Sequence, residues 1–296
     1  MRRSRGTHDL VKALWFTVSA STLLAACATA PAADGEAQAM SSGEPVASAP
    51  APGGAGPVSS SLRTGSEEIS VYFIGNSLTF YNDLPRMFAD LAAAAGRSVA
   101  VDLSFSGGGT LAGHARSWST LNKLGQRSWK FVVLQEQSDL PAVEAQRRES
   151  VLPPLRVFKE RIEGIGATPV LFMTWGRKDG LPAEGFSTYT EMQDALETGF
   201  IEMAGELRWM LVPAGIAWRN SAAQRSQVEL WLADGIHPTP EGTYLTACVF
   251  YASIFERSPE GIGFHAGLPE DTARYLQGIA AAAVLGVLPR WKPASR

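Results

Sequence analysis

The stretch VYFIGNSLTFYNDLP, residues 71–85, decides how this chain is read. Val71 to Ile74 is an apolar, β-prone run, and Gly75-Asn76-Ser77 stops it abruptly before a helix-like segment begins. A strand that ends in Gly-Asn-Ser has two readings. Either Ser77 caps the helix that follows, or the turn holds a serine out for chemistry.

Working outward, short apolar runs bounded by turn residues recur at 69–74, 99–105, 130–135, 168–174 and 208–212. Between them lie stretches with helical spacing at 84–95, 143–162 and 187–206, and two more follow at 241–255 and 271–285. Pro153-Pro154 must interrupt or restart the second of these, because proline lacks the N–H that a helix interior needs. Strands alternating with helices imply parallel pairing through right-handed crossovers, hence an α/β sandwich of three layers, helices on both faces of one sheet. Near-continuous apolar runs such as Phe131–Leu134 fit strands buried on both faces. In such sheets the functional groups gather beyond the carboxyl ends of the strands. There the sequence places Gly75-Asn76-Ser77, Ser106-Gly107-Gly108-Gly109, Gln135-Glu136-Gln137-Ser138 and Thr174-Trp175-Gly176.

The 296 residues carry a formal net charge of -3, which gives no electrostatic footprint for nucleic acid. Residues 1–26 combine a basic start (Arg2, Arg3, Arg5, Lys12) with an uncharged, mostly apolar run, the layout of a secretory signal. The run ends in Leu24-Ala25-Ala26-Cys27, which resembles the lipobox of bacterial lipoproteins. That resemblance implies cleavage before Cys27, lipidation of its thiol and an anchor in the cell envelope, with Ala28 favouring an outer membrane. Residues 27–68 are rich in Ala, Pro, Gly and Ser and lack aromatics, so they read as a flexible tether. Residues 69–296 form the expected catalytic domain. Cys248, in an apolar helical run, is expected to be a core residue rather than a disulfide partner.

The most specific chemical signal is LADGIHPTPEGTYL, residues 232–245. Asp234 and His237 stand at a D-x-x-H spacing that lets the carboxylate curl back and accept Nδ1–H, leaving Nε2 as a base. A solvated Asp beside a packed His is the alternative for the motif in isolation. His8 falls in the signal segment, so His237, His114 and His265 are the histidine candidates for general base. Ser77 supplies a nucleophile. Backbone N–H groups at Ser77 and in the glycine run, with a side-chain amide after the third strand, supply oxyanion donors.

Taken together these blocks resemble the SGNH (GDSL-type) hydrolases. Gly75-Asn76-Ser77-Leu78-Thr79 matches the family's nucleophile turn with Asn where Asp is usual, and Asp234-Gly235-Ile236-His237-Pro238 matches its last block closely. Gly107-Gly108-Gly109-Thr110 matches the second block in character, with Gly108 as the oxyanion donor. Where the family has G-x-N-D, this chain has Leu134-Gln135-Glu136-Gln137-Ser138. Gln137 is therefore the expected substitute for the third donor and Gln135 the next choice; without either, Ser77 and Gly108 remain as a two-donor hole. The resemblance implies a five-stranded, mostly parallel, flavodoxin-like sheet. It also implies a serine esterase acting without metal or other cofactor through Ser77, His237 and Asp234. The implied substrate is a small acyl ester, such as an O-acetyl group on a carbohydrate. An acyltransferase using the same site and a non-catalytic binding protein on the same fold are the competing readings, and the protein is expected to be a monomer.

Asn76, Trp175 and His114 are candidate substrate contacts, with a purely local role as the alternative for His114 and Trp175. Trp231 is read as a packing anchor, and Arg177 and Lys178 as solvated loop charges, with contact to an anionic substrate as the alternative. Glu136 and Asp139 are weaker candidates than Asp234 for orienting a histidine.

Overall fold

The computed structural model describes residues 68–292. Five strands form one sheet: β1 (Ile69–Gly75), β2 (Val99–Phe105), β3 (Phe131–Leu134), β4 (Thr168–Phe172) and β5 (Met210–Val212). Their order is β2-β1-β3-β4-β5, and all four pairings are parallel. This is the flavodoxin-like order, whose strand sequence reverses direction between β1 and β3. Gly75 pairs with Phe105 and Ile74 with Leu134, so the three strands that bear the nucleophile, glycine and glutamine blocks end side by side.

The helices are α1 (Ser77–Phe80), α2 (Leu84–Ala94), α3 (Leu111–His114), α4 (Trp118–Gly125), α5 (Glu144–Gln146), α6 (Leu152–Gly164), α7 (Tyr189–Leu207), α8 (Ala214–Gln224), α9 (Pro240–Phe255) and α10 (Glu270–Leu285). Right-handed crossovers put α2, leading from β1 to β2, on one face of the sheet, and α3, α4, α6 and α7 on the other. The chain returns to the first face after β5, where α9 packs on α2, α8 and α10. Buried nearly all round, α9 carries Phe250 to within 5.4 Å of Phe73 and 5.0 Å of Phe172, ring centre to ring centre. Central strand residues Val71–Ile74, Val132–Leu134 and Val170–Phe172 are buried, as expected of strands covered on both faces.

The expected helix over 143–162 is instead three segments, α5, a π-turn at Arg147–Val151 and α6. Pro153 and Pro154 fall in the first turn of α6, where no intrahelical N–H is required. Strand β4 ends at Phe172, two residues earlier than its apolar run, and Thr174 and Trp175 belong to the loop that follows. Cys248 is free and buried in α9. Cys27, the signal segment and the tether up to residue 67 lie outside the described residues.

Candidate active site

The turn after β1 answers the question raised by its sequence. Asn76, not Ser77, is the N-cap of α1: its Oδ1 accepts the Leu78 N–H at 3.1 Å. Ser77 is therefore the first helical residue, with its hydroxyl and N–H both released from capping duty. The hydroxyl meets His237 Nε2 at 2.9 Å, and His237 Nδ1 meets Asp234 Oδ2 at 2.6 Å. The other carboxylate oxygen, Asp234 Oδ1, accepts the backbone N–H of Ile236 (2.9 Å) and His237 (3.0 Å). Desolvation raises the Asp234 carboxyl, but bonds from the His237 ring and from these two N–H groups outweigh it and hold the pKa at about 2. An ionised Asp234 fixes the tautomer with hydrogen on Nδ1 and leaves Nε2 free to take the Ser77 proton. Tyr81 stacks on the imidazole at 4.3 Å with an 18° interplanar angle, fixing the plane of the ring.

The loop bearing Asp234 and His237 is held from several sides. Leu232 N–H donates to His237 C=O at 2.8 Å, and Lys178 N–H to Gly235 C=O at 2.8 Å. Trp175 Nε1 donates to Ile236 C=O at 3.0 Å, and Trp231 Nε1 to Gly176 C=O at 3.1 Å. Asn82 reaches across from the nucleophile segment, its Nδ2 on Pro238 C=O (3.1 Å) and Thr243 Oγ1 (2.9 Å). Asn82 and Asp83 both have positive φ (51° and 49°), a conformation these two residue types tolerate better than most. One stretch of sequence thus supplies Ser77, the ring that stacks on His237 and the side chain that ties down the loop after it.

Three buried side chains connect the loops after β1, β2 and β3 in a closed triangle. Asn76 Nδ2 donates to Gly109 C=O at 3.0 Å, joining the nucleophile turn to the glycine turn. Gln135 Oε1 accepts Asn76 N–H at 2.8 Å and Thr79 Oγ1–H at 2.9 Å, joining the nucleophile turn to the third loop. Glu136 Oε1 accepts Leu111 N–H at 3.1 Å and Gln137 N–H at 2.7 Å, joining the third loop to the end of the glycine turn. The approach is so close that a Cβ added at Gly75 would stand 2.6 Å from both Gln135 Oε1 and Thr79 Oγ1, so these side chains would have to shift. The glycine turn itself closes through Gly109 N–H on Ser106 C=O at 2.9 Å, with Gly108 at φ +62°. Among the described residues no acceptor faces the N–H of Ser77 or of Gly108.

Several sequence expectations change here. Asn76 and His114 are 3% exposed and Trp175 is 2% exposed, so they support the site from behind rather than line it. His114 Nε2 bonds Gly75 C=O at 2.9 Å and Nδ1 bonds Thr120 Oγ1 at 3.0 Å; burial lowers its pKa and no ring nitrogen is left for substrate. Trp175 lies flat on Trp218 at 3.8 Å. Gln137 closes on its own turn, Oε1 accepting Asp139 N–H (2.8 Å) and Leu140 N–H (3.2 Å) and Nε2 donating to Asp139 Oδ2 (3.1 Å). The expected free amide at Gln137 is therefore largely engaged, and Gln135 is engaged beneath Asn76. Arg177 is not a solvated charge: it grips Asp139 through Nε at 2.9 Å and through Nη2. Tyr81 and Asn82 were not legible as site residues, although an Asn-Asp pair ahead of a helix hints at left-handed backbone. Among the described residues no three His, Cys, Asp or Glu side chains gather as metal ligands.

A flavodoxin-like sheet with a serine, a histidine and an aspartate in hydrogen-bonded series at the end of β1 is the arrangement of an SGNH-type fold. A DUF4886 family protein from Bacteroides uniformis shares the fold, with a TM-score of 0.66 at 19% identity over 74% of this chain and 95% of that one. A protein from Slackia heliotrinireducens classed with the SGNH hydrolases is 30% identical over 62% of this chain and 96% of its own, with a TM-score of 0.51. The chain belongs to the SGNH hydrolase family. No protein-family model matches the sequence, and no curated protein matches it either.

Proposed function

We propose that the protein is a serine esterase that cleaves a small carboxylic ester through Ser77, His237 and Asp234. The observation that carries this reading is the continuous series Ser77 Oγ–His237 Nε2 (2.9 Å) and His237 Nδ1–Asp234 Oδ2 (2.6 Å). Ser77 attacks the ester carbonyl while His237 takes its proton. Asp234, ionised across the physiological range, stabilises the imidazolium that forms. The N–H groups of Ser77 and Gly108 receive the oxyanion, a two-donor hole, with the remaining Nε2 hydrogen of Gln137 as the reserve. His237 then returns the proton to the leaving alcohol, and a water activated by the same nitrogen releases the acyl group. Residues 1–27 support a location outside the cytoplasmic membrane on a lipid anchor, where O-acylated carbohydrate is the natural small-ester substrate.

The test is labelling of the purified protein by a fluorophosphonate probe together with p-nitrophenyl acetate turnover. Ser77→Ala should abolish labelling and lower turnover by about 10⁴-fold or more. Wild type that neither labels nor exceeds the variant in turnover would sink the esterase reading.

A further inference from the structure

Glu136 is a carboxyl group in the interior, 2% exposed, at the end of the central strand β3 beside the point where the strand order reverses. It plays no part in the proton transfers above. Its Oε1 accepts two backbone N–H groups from different loops, Leu111 at 3.1 Å and Gln137 at 2.7 Å. Its Oε2 is buried and has no hydrogen-bond partner among the described residues. A buried oxygen without a partner weakens a fold. Burial also pushes the Glu136 carboxyl up to about 7, against the lowering effect of the two N–H donors. For stability alone an apolar residue would serve better here, so a reason must lie in what Oε1 joins.

Leu111 begins α3 two residues after Gly109, and Gly108 N–H is one of the two oxyanion donors proposed above. The glycine turn follows the edge strand β2, and two side-chain bonds tie residues 106–111 to the rest of the site, Asn76 Nδ2 on Gly109 C=O and Glu136 on Leu111 N–H, with His114 on Gly75 C=O at the far end of α3. We propose that Glu136 is a positioning residue of the oxyanion hole, holding the glycine turn so that Gly108 N–H faces the carbonyl oxygen of the ester that Ser77 attacks. This rests on the esterase reading for its catalytic consequence, though the tether itself does not. Oxyanion donors act through placement, and a donor displaced by a few tenths of an ångström loses much of its effect on the transition state while hardly altering ground-state binding.

The experiment compares Glu136→Leu, which removes the acceptor, with Glu136→Gln, which keeps an oxygen in place. On p-nitrophenyl acetate, Glu136→Leu should lower kcat roughly 10- to 100-fold with KM within about twofold, and Glu136→Gln should recover most of the loss. Hydrogen exchange of the folded proteins, read by mass spectrometry, should quicken over residues 106–113 in the Leu variant and not in the Gln variant. Unchanged kcat and exchange in the Leu variant would overturn the proposal, as would a loss confined to KM. If the wild type itself proves inert toward esters, the esterase reading falls and the exchange result alone decides: faster exchange over 106–113 upholds the tether, and none overturns it. Should the Leu variant not fold, Glu136→Ala and the Gln variant carry the same comparison.

Discussion

Two layers of the site differ in how they are built. The layer proposed to transfer protons is open: the side chains of His237 and Asp234 are 23% and 44% exposed. The layer beneath it, Asn76, Gln135 and Glu136, is no more than 3% exposed and joins three loops to one another. Groups that change protonation need access to substrate and water, whereas groups that fix distances need burial, because a hydrogen bond shielded from water is stronger and less mobile. The difference teaches that losing the first layer should remove chemistry with little effect on the fold, while altering the second should degrade the geometry of the site.

The largest effect that would separate the layers is expected from Asp234→Asn. The amide keeps the shape but cannot stabilise the imidazolium and favours the wrong tautomer, so kcat should fall about 10³- to 10⁴-fold. Its melting temperature should stay close to that of the wild type, since Asp234 is largely exposed; a large drop in stability would break the distinction. Next comes Asn76→Asp, which installs the family's usual residue. An aspartate retains the cap on Leu78 N–H but loses the donor to Gly109 C=O and sets a carboxylate against that carbonyl. We expect kcat to fall about 10-fold, with a loss of about 1–2 kcal/mol in urea unfolding. Activity equal to the wild type would mean that the triangle does not position the glycine turn.

The smallest effect on turnover is expected from a change that reads out as a pH dependence of stability. The folded-state pKa of Glu136, about 7, lies above the usual carboxylate value near 4.3, through burial opposed by N–H groups with no charged side chain among the causes. The folded protein therefore holds a proton that the unfolded chain releases. That contribution is fully present below about pH 4.3 and is lost as pH rises through about 7. Relative to wild type, Glu136→Gln should gain stability between pH 4.5 and pH 7.5, by up to about 3 kcal/mol in urea titrations. A difference that does not change with pH would show that Glu136 titrates as an ordinary surface acid.

Much of this was legible before any coordinates. Short apolar runs bounded by turn residues marked all five strands, and in the central ones burial on both faces leaves a continuous signal in sequence. Ser77, Asp234 and His237 were legible because a D-x-x-H spacing and a Gly-Asn-Ser turn have few other uses in combination. The destination of an amide was not. Gln135 and Gln137 are equally plausible donors on paper, and only the approach of Gly75 and the turn at Asp139 show that both are engaged elsewhere. Helix α8 was also hidden: Pro213 provides no side-chain cap, and the helix is anchored by Trp218 lying on Trp175, a contact between residues 43 positions apart in the numbering. Tyr81 escaped for a similar reason, since its partner is His237.

The bond between Ser77 and His237 spans 160 residues. During synthesis the serine therefore leaves the ribosome long before the base that activates it, and a nascent chain carries only an ordinary alcohol at that position. On the face of β1 that bears Phe73, α2 is joined by α9 only when Phe250 arrives, directly after the histidine loop. On the esterase reading, completion of the core and arming of the nucleophile are thus a single late event, and truncated or stalled chains would lack the means to attack an ester.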